Sequence, residues 1–208
     1  MTPATTNTRA RILDVAEKLF SEEGVDRVSV RDVTEKAEVN VAAINYHFGS
    51  KEDLVTSVFE RRLAPLNEAR LKLLGEFEKA AGAKSVPVEK ILEAFVLPAI
   101  NCCPTSNGES GAAFAKLLGR CLAETKPEVE SYLKEQFAPV IEKFERALMK
   151  ALPKLTRADV FWRLKFTFGA LHHWLLTREK CIPSWAESAS VEEQVKGLIQ
   201  FTAAGFRN

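Results

Sequence analysis

Residues 41–48 place small side chains ahead of hydrogen-bonding ones. If these residues form a helix, Ile44 and Phe48 share one apolar face, because residues four apart are neighbours on a helix. The other side chains are then free, and they are Val41, Ala42, Ala43, Asn45, Tyr46 and His47. Small residues followed by donors and acceptors suit the major groove of double-stranded DNA. The pattern therefore indicates a recognition helix.

A second short helix just before this segment supplies the partners that the apolar face needs. Val33 and Ala37 are four residues apart, and Val39 lies in the turn that follows them. Together with Ile44 and Phe48 they can form one small core. We therefore expect two short helices joined by a tight turn, with the polar side of the second helix facing solvent.

Three N-terminal caps predict where the helices of this region begin. Ser29 is followed three residues later by Asp32, and Ser50 by Asp53. The serine can accept a hydrogen bond from the first turn, and the aspartate favours the positive end of the helix dipole. Asn40 provides the third cap. These caps support short helices that begin close to residues 30, 41 and 51.

The rest of the chain also has helical periodicity. Apolar residues three and four apart predict helices over residues 8–23, 51–80, 87–100, 111–123, 125–152 and 157–177. A capping box at Ser190 and Glu193 predicts a last helix. No strand pattern or internal repeat is visible in the sequence. We predict an all-α chain of about nine helices, with a helix-turn-helix DNA-binding domain over residues 1–52 and a helical ligand-binding and dimerisation domain over residues 53–208.

Composition favours a cytoplasmic protein that does not enter a membrane. The 208 residues are 46% hydrophobic and 27% charged, and no apolar run reaches the roughly 18 residues of a membrane span. The first residues lack the apolar middle of a secretory signal. Charge does not favour DNA binding, because residues 1–63 carry nine Lys and Arg against eleven Asp and Glu, a net charge of −2. DNA binding therefore needs a few well-placed cations, and Arg9, Arg11, Arg31 and Lys51 are nearest to the proposed face.

The residue pairs that could catalyse a reaction or bind a metal have the wrong spacing. His172 and His173 are adjacent and point to different sides of a helix, whereas a metal-binding pair is four residues apart. Cys102 and Cys103 have no nearby histidine, and a thiol redox sensor is an alternative for that pair. We expect no enzyme, no metal and no cofactor. A helical-bundle enzyme and a helical protein-interaction module are the alternative classes.

Two apolar stripes near the carboxyl end predict a homodimer. The predicted helix over residues 157–177 is apolar on two sides, so one side can pack on its own chain while the other needs a partner. The alternative is a helix buried at the centre of a monomer. The residues predicted to form the dimer interface are Phe161, Phe168, Leu171, Trp174, Leu175, Val195, Leu198, Thr202 and Phe206.

An excess of aromatic and aliphatic residues in the second domain predicts a cavity for a small apolar effector. The residues predicted to line it are Phe95, Phe114, Leu118, Phe137, Phe144, Trp162 and Phe166. Arg120, Arg163 and His172 are candidates to bind the acidic group of such an effector. Ordinary core packing is the competing explanation for each of the apolar residues.

Residues 8–54 resemble the N-terminal domain of the tetracycline-repressor (TetR) family of transcriptional regulators. The resemblance is carried by ARILDVAEKLFSEEG at 10–24, SVRDVTEKAEVN at 29–40 and AAINYHFGSKEDL at 42–54. The family has a capped helix, a turn, an aromatic-rich recognition helix and a lysine that opens the next helix. Glu38 departs from the glycine that the family usually has in the turn, and Asn45 stands where the family more often has tyrosine.

The resemblance implies that a defined set of residues contacts DNA. They are Ser29, Val30, Arg31, Asn40, Val41, Ala42, Ala43, Asn45, Tyr46, His47 and Lys51. Arg31 can bind a guanine edge and Asn45 an adenine edge, although each could instead be a solvated surface residue. The two alanines can contact a thymine methyl group. Ser29, Asn40, Tyr46 and Lys51 are expected to contact phosphates, which position the protein without specifying sequence. His47 could contact a phosphate or pack against its own helix.

The second domain is similar to one branch of the family. FAKLLGRCLAE at 114–124 and ALPKLTRADVFWRLKFTFGA at 151–170 resemble regulators of fatty-acid degradation genes. This similarity implies a response to long-chain fatty acids or their acyl-CoA thioesters. The chain is then expected to be a repressor that binds a palindromic operator as a dimer and is released by such an effector.

Overall fold

The computed structural model describes residues 3–101, 109–123, 127–177, 182–184 and 189–207. Within these ranges the chain forms nine α-helices and no strand, which confirms the predicted all-α class. The helices are α1 (Pro3–Glu23), α2 (Val30–Lys36), α3 (Val41–His47), α4 (Lys51–Ala81), α5 (Val88–Asn101), α6 (Glu109–Ala123), α7 (Pro127–Ala151), α8 (Arg157–Thr177) and α9 (Val191–Arg207). None of the helices described is both long enough and apolar enough to cross a membrane.

The chain divides into two compact units. Unit 1 contains Met1–Ala64 and Pro104–Gln136, and unit 2 contains Pro65–Cys103 and Phe137–Asn208. Helices α4 and α7 therefore each contribute to both units. The predicted domains, residues 1–52 and 53–208, were divided by their expected functions and not by packing. That division stays a prediction.

The core of unit 1 is built on one face of α1. Ile12, Leu13, Ala16 and Phe20 are fully buried there, at the spacing of an amphipathic helix. Helix α6 packs against α1, and α2 packs against it as well. Phe59 of α4 meets Phe114 of α6 in an edge-to-face contact with ring centroids 5.9 Å apart. Helix α1 is thus the common support of the short helices and of α6.

A buried carboxylate joins α1 to α4. Glu17 of α1 is 3% exposed. Its Oε2 accepts a hydrogen bond of 2.6 Å from Nη2 of Arg61, and its Oε1 accepts one of 2.9 Å from Nη2 of Arg62. Nη1 of Arg61 also donates to Oδ1 of Asp14 at 2.6 Å. Two adjacent arginines of α4 therefore hold one buried acid, which fixes α4 against α1.

Unit 2 is centred on α9, which packs against α5 and α8. Two side chains of α8 bind along it: Nη1 of Arg163 donates to the carbonyl of Phe206 at 2.7 Å, and Nε1 of Trp174 donates to Oε1 of Gln194 at 2.9 Å. Phe95 and Phe144 pack edge to face in the core of this unit. Helices α8 and α9 are thus tied to each other near both ends of α9.

We expect Glu17→Gln to lower the free energy of unfolding by about 2–3 kcal/mol, because it removes the negative charge that both arginines share in a buried place. Asp14→Asn is the matched control, since Asp14 contacts the same Arg61 but its side chain is 69% exposed. That change should cost less than about 1 kcal/mol. Urea unfolding of the two variants measures both values, and equal losses would contradict the importance of the buried acid.

Candidate nucleic-acid interface

Helix α2 begins at a capping box. Oγ of Ser29 accepts a hydrogen bond from the backbone N–H of Asp32 at 3.2 Å, and Oδ2 of Asp32 accepts one from the backbone N–H of Ser29 at 2.7 Å. The Ser29 hydroxyl also donates to the same carboxylate at 2.8 Å. These bonds, with a smaller contribution from the charge of Lys51, hold the pKa of Asp32 below its ordinary value. The hydroxyl proton of Ser29 is therefore engaged in the cap.

The lowered pKa of Asp32 determines the pH range in which the capping box stabilises the folded chain. Because the pKa of Asp32 is lower in the folded chain, the ionised box contributes fully to stability above the ordinary pKa of an aspartate. The contribution is lost as the pH falls through the lowered value. The start of α2 is therefore held in its capped form at neutral pH.

The turn between α2 and α3 contains the one described residue other than glycine with a left-handed backbone. Glu38 has a φ of 50°, a conformation that glycine adopts without steric cost and other residues rarely adopt. The backbone N–H of Val39 donates to the carbonyl of Thr34 at 3.0 Å and closes the turn. The family pattern of glycine at this position thus has a physical reason, and Glu38 adopts the same geometry at some cost in strain.

Helix α3 begins at Asn40, whose Oδ1 accepts a hydrogen bond from the backbone N–H of Ala43 at 2.9 Å. This bond leaves the two N–H donors of the Asn40 amide for an external acceptor. The cap also fixes the first turn of α3, where the small residues lie. The predicted cap is confirmed.

The two sides of α3 have opposite surroundings. Ile44 is fully buried and Phe48, just after the helix, is 8% exposed. Tyr46 is 79% exposed on the other side, and Asn45 and Ala42 are exposed beside it. Within unit 1, α3 thus buries one narrow apolar stripe and presents its small and polar residues to solvent.

His47 packs between its two neighbours along the chain. Its ring centroid lies 5.0 Å from that of Tyr46 and 6.1 Å from that of Phe48. The side chain is half-buried. This position fits packing against its own helix, one of the two predicted alternatives for His47.

Helix α4 opens with the third cap. The Ser50 hydroxyl donates to Oδ2 of Asp53 at 2.6 Å, and its oxygen accepts from the Asp53 backbone N–H at 3.0 Å. Lys51 is half-buried in the first turn. Its charge contributes to the lowered pKa of Asp32, so the lysine is electrostatically coupled to the start of α2. The residues predicted to contact DNA all lie in unit 1, and every one of them is exposed or half-buried.

The residues predicted to bind an effector do not lie together in one unit. Phe114, Leu118 and Arg120 belong to unit 1, and the remaining members belong to unit 2. Four of the apolar members are buried, namely Phe95, Phe114, Leu118 and Phe144. Phe137 and His172 are half-buried. The buried members have the surroundings of ordinary core residues, which was the competing explanation.

Two of the residues predicted to line a cavity are exposed. Trp162 is 51% exposed and Phe166 is 68% exposed. They lie on the outer side of α8, because Val160, Leu164, Thr167 and Leu171 form the side that packs inward. Side chains that face solvent to this extent do not line a closed apolar cavity within unit 2.

The cations proposed for the acidic group of an effector already have partners. Nη1 of Arg120 donates to the carbonyl of Glu22 at 3.1 Å, at the end of α1. Nη1 of Arg163 donates to the carbonyl of Phe206, near the end of α9. Both arginines thus satisfy carbonyls that helix ends leave without an intrahelical donor. Sequence patterns give no sign of these contacts, because the partners are far apart along the chain.

The residues predicted to form the dimer interface differ in their exposure, and their role stays a prediction. Leu171, Val195, Thr202 and Phe206 are buried within their own chain. Phe168, Trp174, Leu175 and Leu198 are half-buried, and Phe161 is 41% exposed. Phe201 of α9, which the predicted set does not include, is 74% exposed. The predicted stripes are largely the inner sides of α8 and α9, and the outer sides carry other aromatic residues.

Three of the four cysteines cannot be placed in the structure. Cys102, Cys103 and Cys181 lie outside the described residues, and Cys121 is buried. Among the residues that the structure describes, no group of three histidine, cysteine or acidic side chains could hold a metal ion.

Comparisons with known proteins match both parts of the chain. Residues 12–58 match the family described as "Bacterial regulatory proteins, tetR family", and residues 93–205 match "Tetracyclin repressor-like, C-terminal domain". The first match contains α2 and α3 whole, and the second spans more than half of the chain.

Two of the sequence relatives each match about a third of the chain. The HTH-type transcriptional regulator AcrR of Shigella flexneri is 37% identical over 70 residues, which are 34% of this chain and 33% of that protein. The HTH-type transcriptional repressor NicS of Pseudomonas putida is 42% identical over 66 residues, which are 32% of this chain and 31% of that protein. The chain thus matches about a third of the length of these relatives.

A solved structure resembles the whole chain. The fatty acid degradation regulator FadR from Bacillus halodurans has a TM-score of 0.66 and 18% sequence identity, over 100% of this chain and 98% of that one. At this identity the likeness concerns the fold alone. With the two family matches, which cover the recognition helix and most of unit 2, it follows that the chain belongs to the TetR family of bacterial regulatory proteins, whose members are DNA-binding transcriptional regulators.

Proposed function

We propose that the chain is a repressor that binds a palindromic operator as a homodimer and leaves it when a small apolar effector binds. The observation that carries the DNA-binding part is the exposed side of α3, flanked by the capped starts of α2 and α4. A short helix with its small residues exposed can enter a major groove. Arg31 is exposed in the first turn of α2, next to the same surface.

Base contacts and phosphate contacts are assigned to different residues. Arg31 and Asn45 carry forked groups that match guanine and adenine edges in the major groove, and both side chains are exposed. Ala42 and Ala43 allow the backbone of α3 to come close to the bases. Lys51 carries a single charge at the start of α4, which suits a phosphate oxygen. Specificity is therefore expected from Arg31 and Asn45, and general affinity from Lys51.

We expect Arg31→Ala to weaken binding to the preferred duplex by about 1–3 kcal/mol and to relax the preference at one base pair of each half-site. Lys51→Ala should weaken binding to all duplexes alike and flatten the dependence of affinity on salt by about one unit. Fluorescence anisotropy with a selected palindromic duplex and its scrambled counterpart measures both effects. Equal binding of the two duplexes by the unaltered chain would contradict sequence-specific recognition.

The outer sides of α8 and α9 support the homodimer. Trp162 and Phe166 of α8 lie with their ring centroids 6.2 Å apart, and Phe201 of α9 is the most exposed large apolar side chain on that helix. Exposed aromatic residues of this size commonly mark a protein interface. A second copy of the chain can cover them by a two-fold contact, because that contact brings the same two helices from each copy together.

Glycines on α9 support close packing at this surface. Gly197 and Gly205 lie four residues before and after Phe201, on the same side of the helix. A methyl group added at either glycine would have no atom within 4 Å apart from those of its chain neighbours and of the adjacent backbone of α9. The backbone beside Phe201 is therefore open, and a partner helix can approach it closely.

We expect Phe201→Ser to convert a dimer into a monomer at micromolar concentration, because it removes the most exposed aromatic group of the proposed interface. Met149→Ser is the matched control, since Met149 is another exposed apolar residue of unit 2 and lies on α7. Size-exclusion chromatography with light scattering gives the mass of each variant. A monomeric unaltered chain would contradict the dimer, and a dimeric Phe201→Ser variant would contradict this surface.

A fatty acid or acyl-CoA is the effector that we propose. The support is the resemblance of residues 114–124 and 151–170 to regulators of fatty-acid degradation genes, together with a structural neighbour that is itself described as such a regulator. The effector has to bind one conformation more tightly than the other, since equal affinity for both would shift nothing. We propose that α4 transmits the effect of effector binding to the DNA-binding helices, because it continues from unit 1 into unit 2 at Pro65.

We expect oleoyl-CoA or free oleate to lower the affinity for the palindromic duplex by about 5- to 150-fold, the usual range of coupling between two sites. Coenzyme A without the acyl chain is the control and should leave the affinity unchanged. Titration of the DNA complex at fixed salt measures the effect. Unchanged affinity at saturating concentrations of both lipids would contradict this effector class and leave the DNA-binding proposal standing.

A further inference from the structure

Arg9 occupies a position in α1 where an apolar residue would be expected. It lies three, four and seven residues before Ile12, Leu13 and Ala16, so it begins the stripe that is buried in unit 1. Its guanidinium carbon lies 5.2 Å from the centroid of the Phe48 ring. Phe48 is the residue that ends α3. The charged end of Arg9 is therefore held beside the carboxyl end of the recognition helix.

The contact of Arg9 with the Phe48 ring is a cation–π attraction. It engages the charge of the guanidinium and does not use its five N–H donors in hydrogen bonds. The side chain is half-buried. Among the residues that the structure describes, no carboxylate forms an ion pair with Arg9. In contrast, Arg61 and Arg62 are paired with Glu17.

A second cation follows Phe48 along the chain. Phe48 is followed by the turn that leads through Ser50 to Lys51, the lysine of the α4 start. Residues 1–63 have a net charge of −2, so each cation near the recognition helix has a large share in attracting DNA.

We propose that Arg9 binds a phosphate of the DNA backbone and that its cation–π contact with Phe48 holds the guanidinium in place for this contact. The proposal rests on the proposed DNA-binding function and adds α1 to the elements that touch the duplex. The contact fixes the position of the recognition helix and reads no base. Arg9 should accordingly affect all duplexes equally.

The test replaces Arg9 with methionine. Methionine retains an unbranched apolar side chain that can cover Phe48, but it has no charge and no donor. Lys18→Met is the matched control, because Lys18 is an exposed cation of the same helix and lies on the opposite side of α1 from Arg9. Affinity for the palindromic and the scrambled duplex is measured by anisotropy between 50 and 200 mM salt, and thermal unfolding is measured for each variant.

The expected result for Arg9→Met is an unchanged unfolding temperature, weaker binding to both duplexes, and a salt dependence shallower by about 0.9 in the double-logarithmic slope. Lys18→Met should retain the affinity and slope of the unaltered chain. An unaltered slope for Arg9→Met would mean that Arg9 only covers the core, and an equal loss for Lys18→Met would mean that the effect is general charge; either result overturns the proposal. If the unaltered chain bound neither duplex, the DNA-binding function itself would fail.

Discussion

The candidate interface depends on the burial of Ile44, a residue of α3. A helix of seven residues is not stable by itself in water, because too few hydrogen bonds form to offset the ordering of its first turn. Helix α3 therefore depends on the burial of Ile44 and Phe48 and on its packing against α2, where Val33 is also buried. Since that packing uses one side of α3, the opposite side has to face solvent, and the residues placed there are small or polar.

Helix α1 carries most of what holds this arrangement in place. Its buried face supports α2 and α6, and its Glu17 binds two arginines of α4. Its last turn accepts a hydrogen bond from Arg120 of α6. If α6 or the first half of α4 changed position, the contacts that each makes with α1 would change first. This connection gives a physical route within unit 1 from the helices outside the DNA-binding motif to α2 and α3.

Features that depend on near neighbours along the chain could be predicted from the sequence. The caps at Ser29, Asn40 and Ser50 were predictable because each depends on residues no more than three positions away. The two sides of α8 were not, because both are apolar and periodicity does not say which side meets α9. The partner of Arg163 is 43 residues away and is a backbone carbonyl, so no pattern of side chains indicates it.

Protection of guanine N7 atoms from dimethyl sulfate is the most direct test of the central claim, since N7 lies in the major groove. The duplex is selected from a random library with the unaltered chain. We predict two clusters of protected guanines, with centres about 10 base pairs apart, as expected for two recognition helices one duplex turn from each other. Binding without protection of N7, or with a single protected cluster, would contradict the account that α3 enters the groove in two copies.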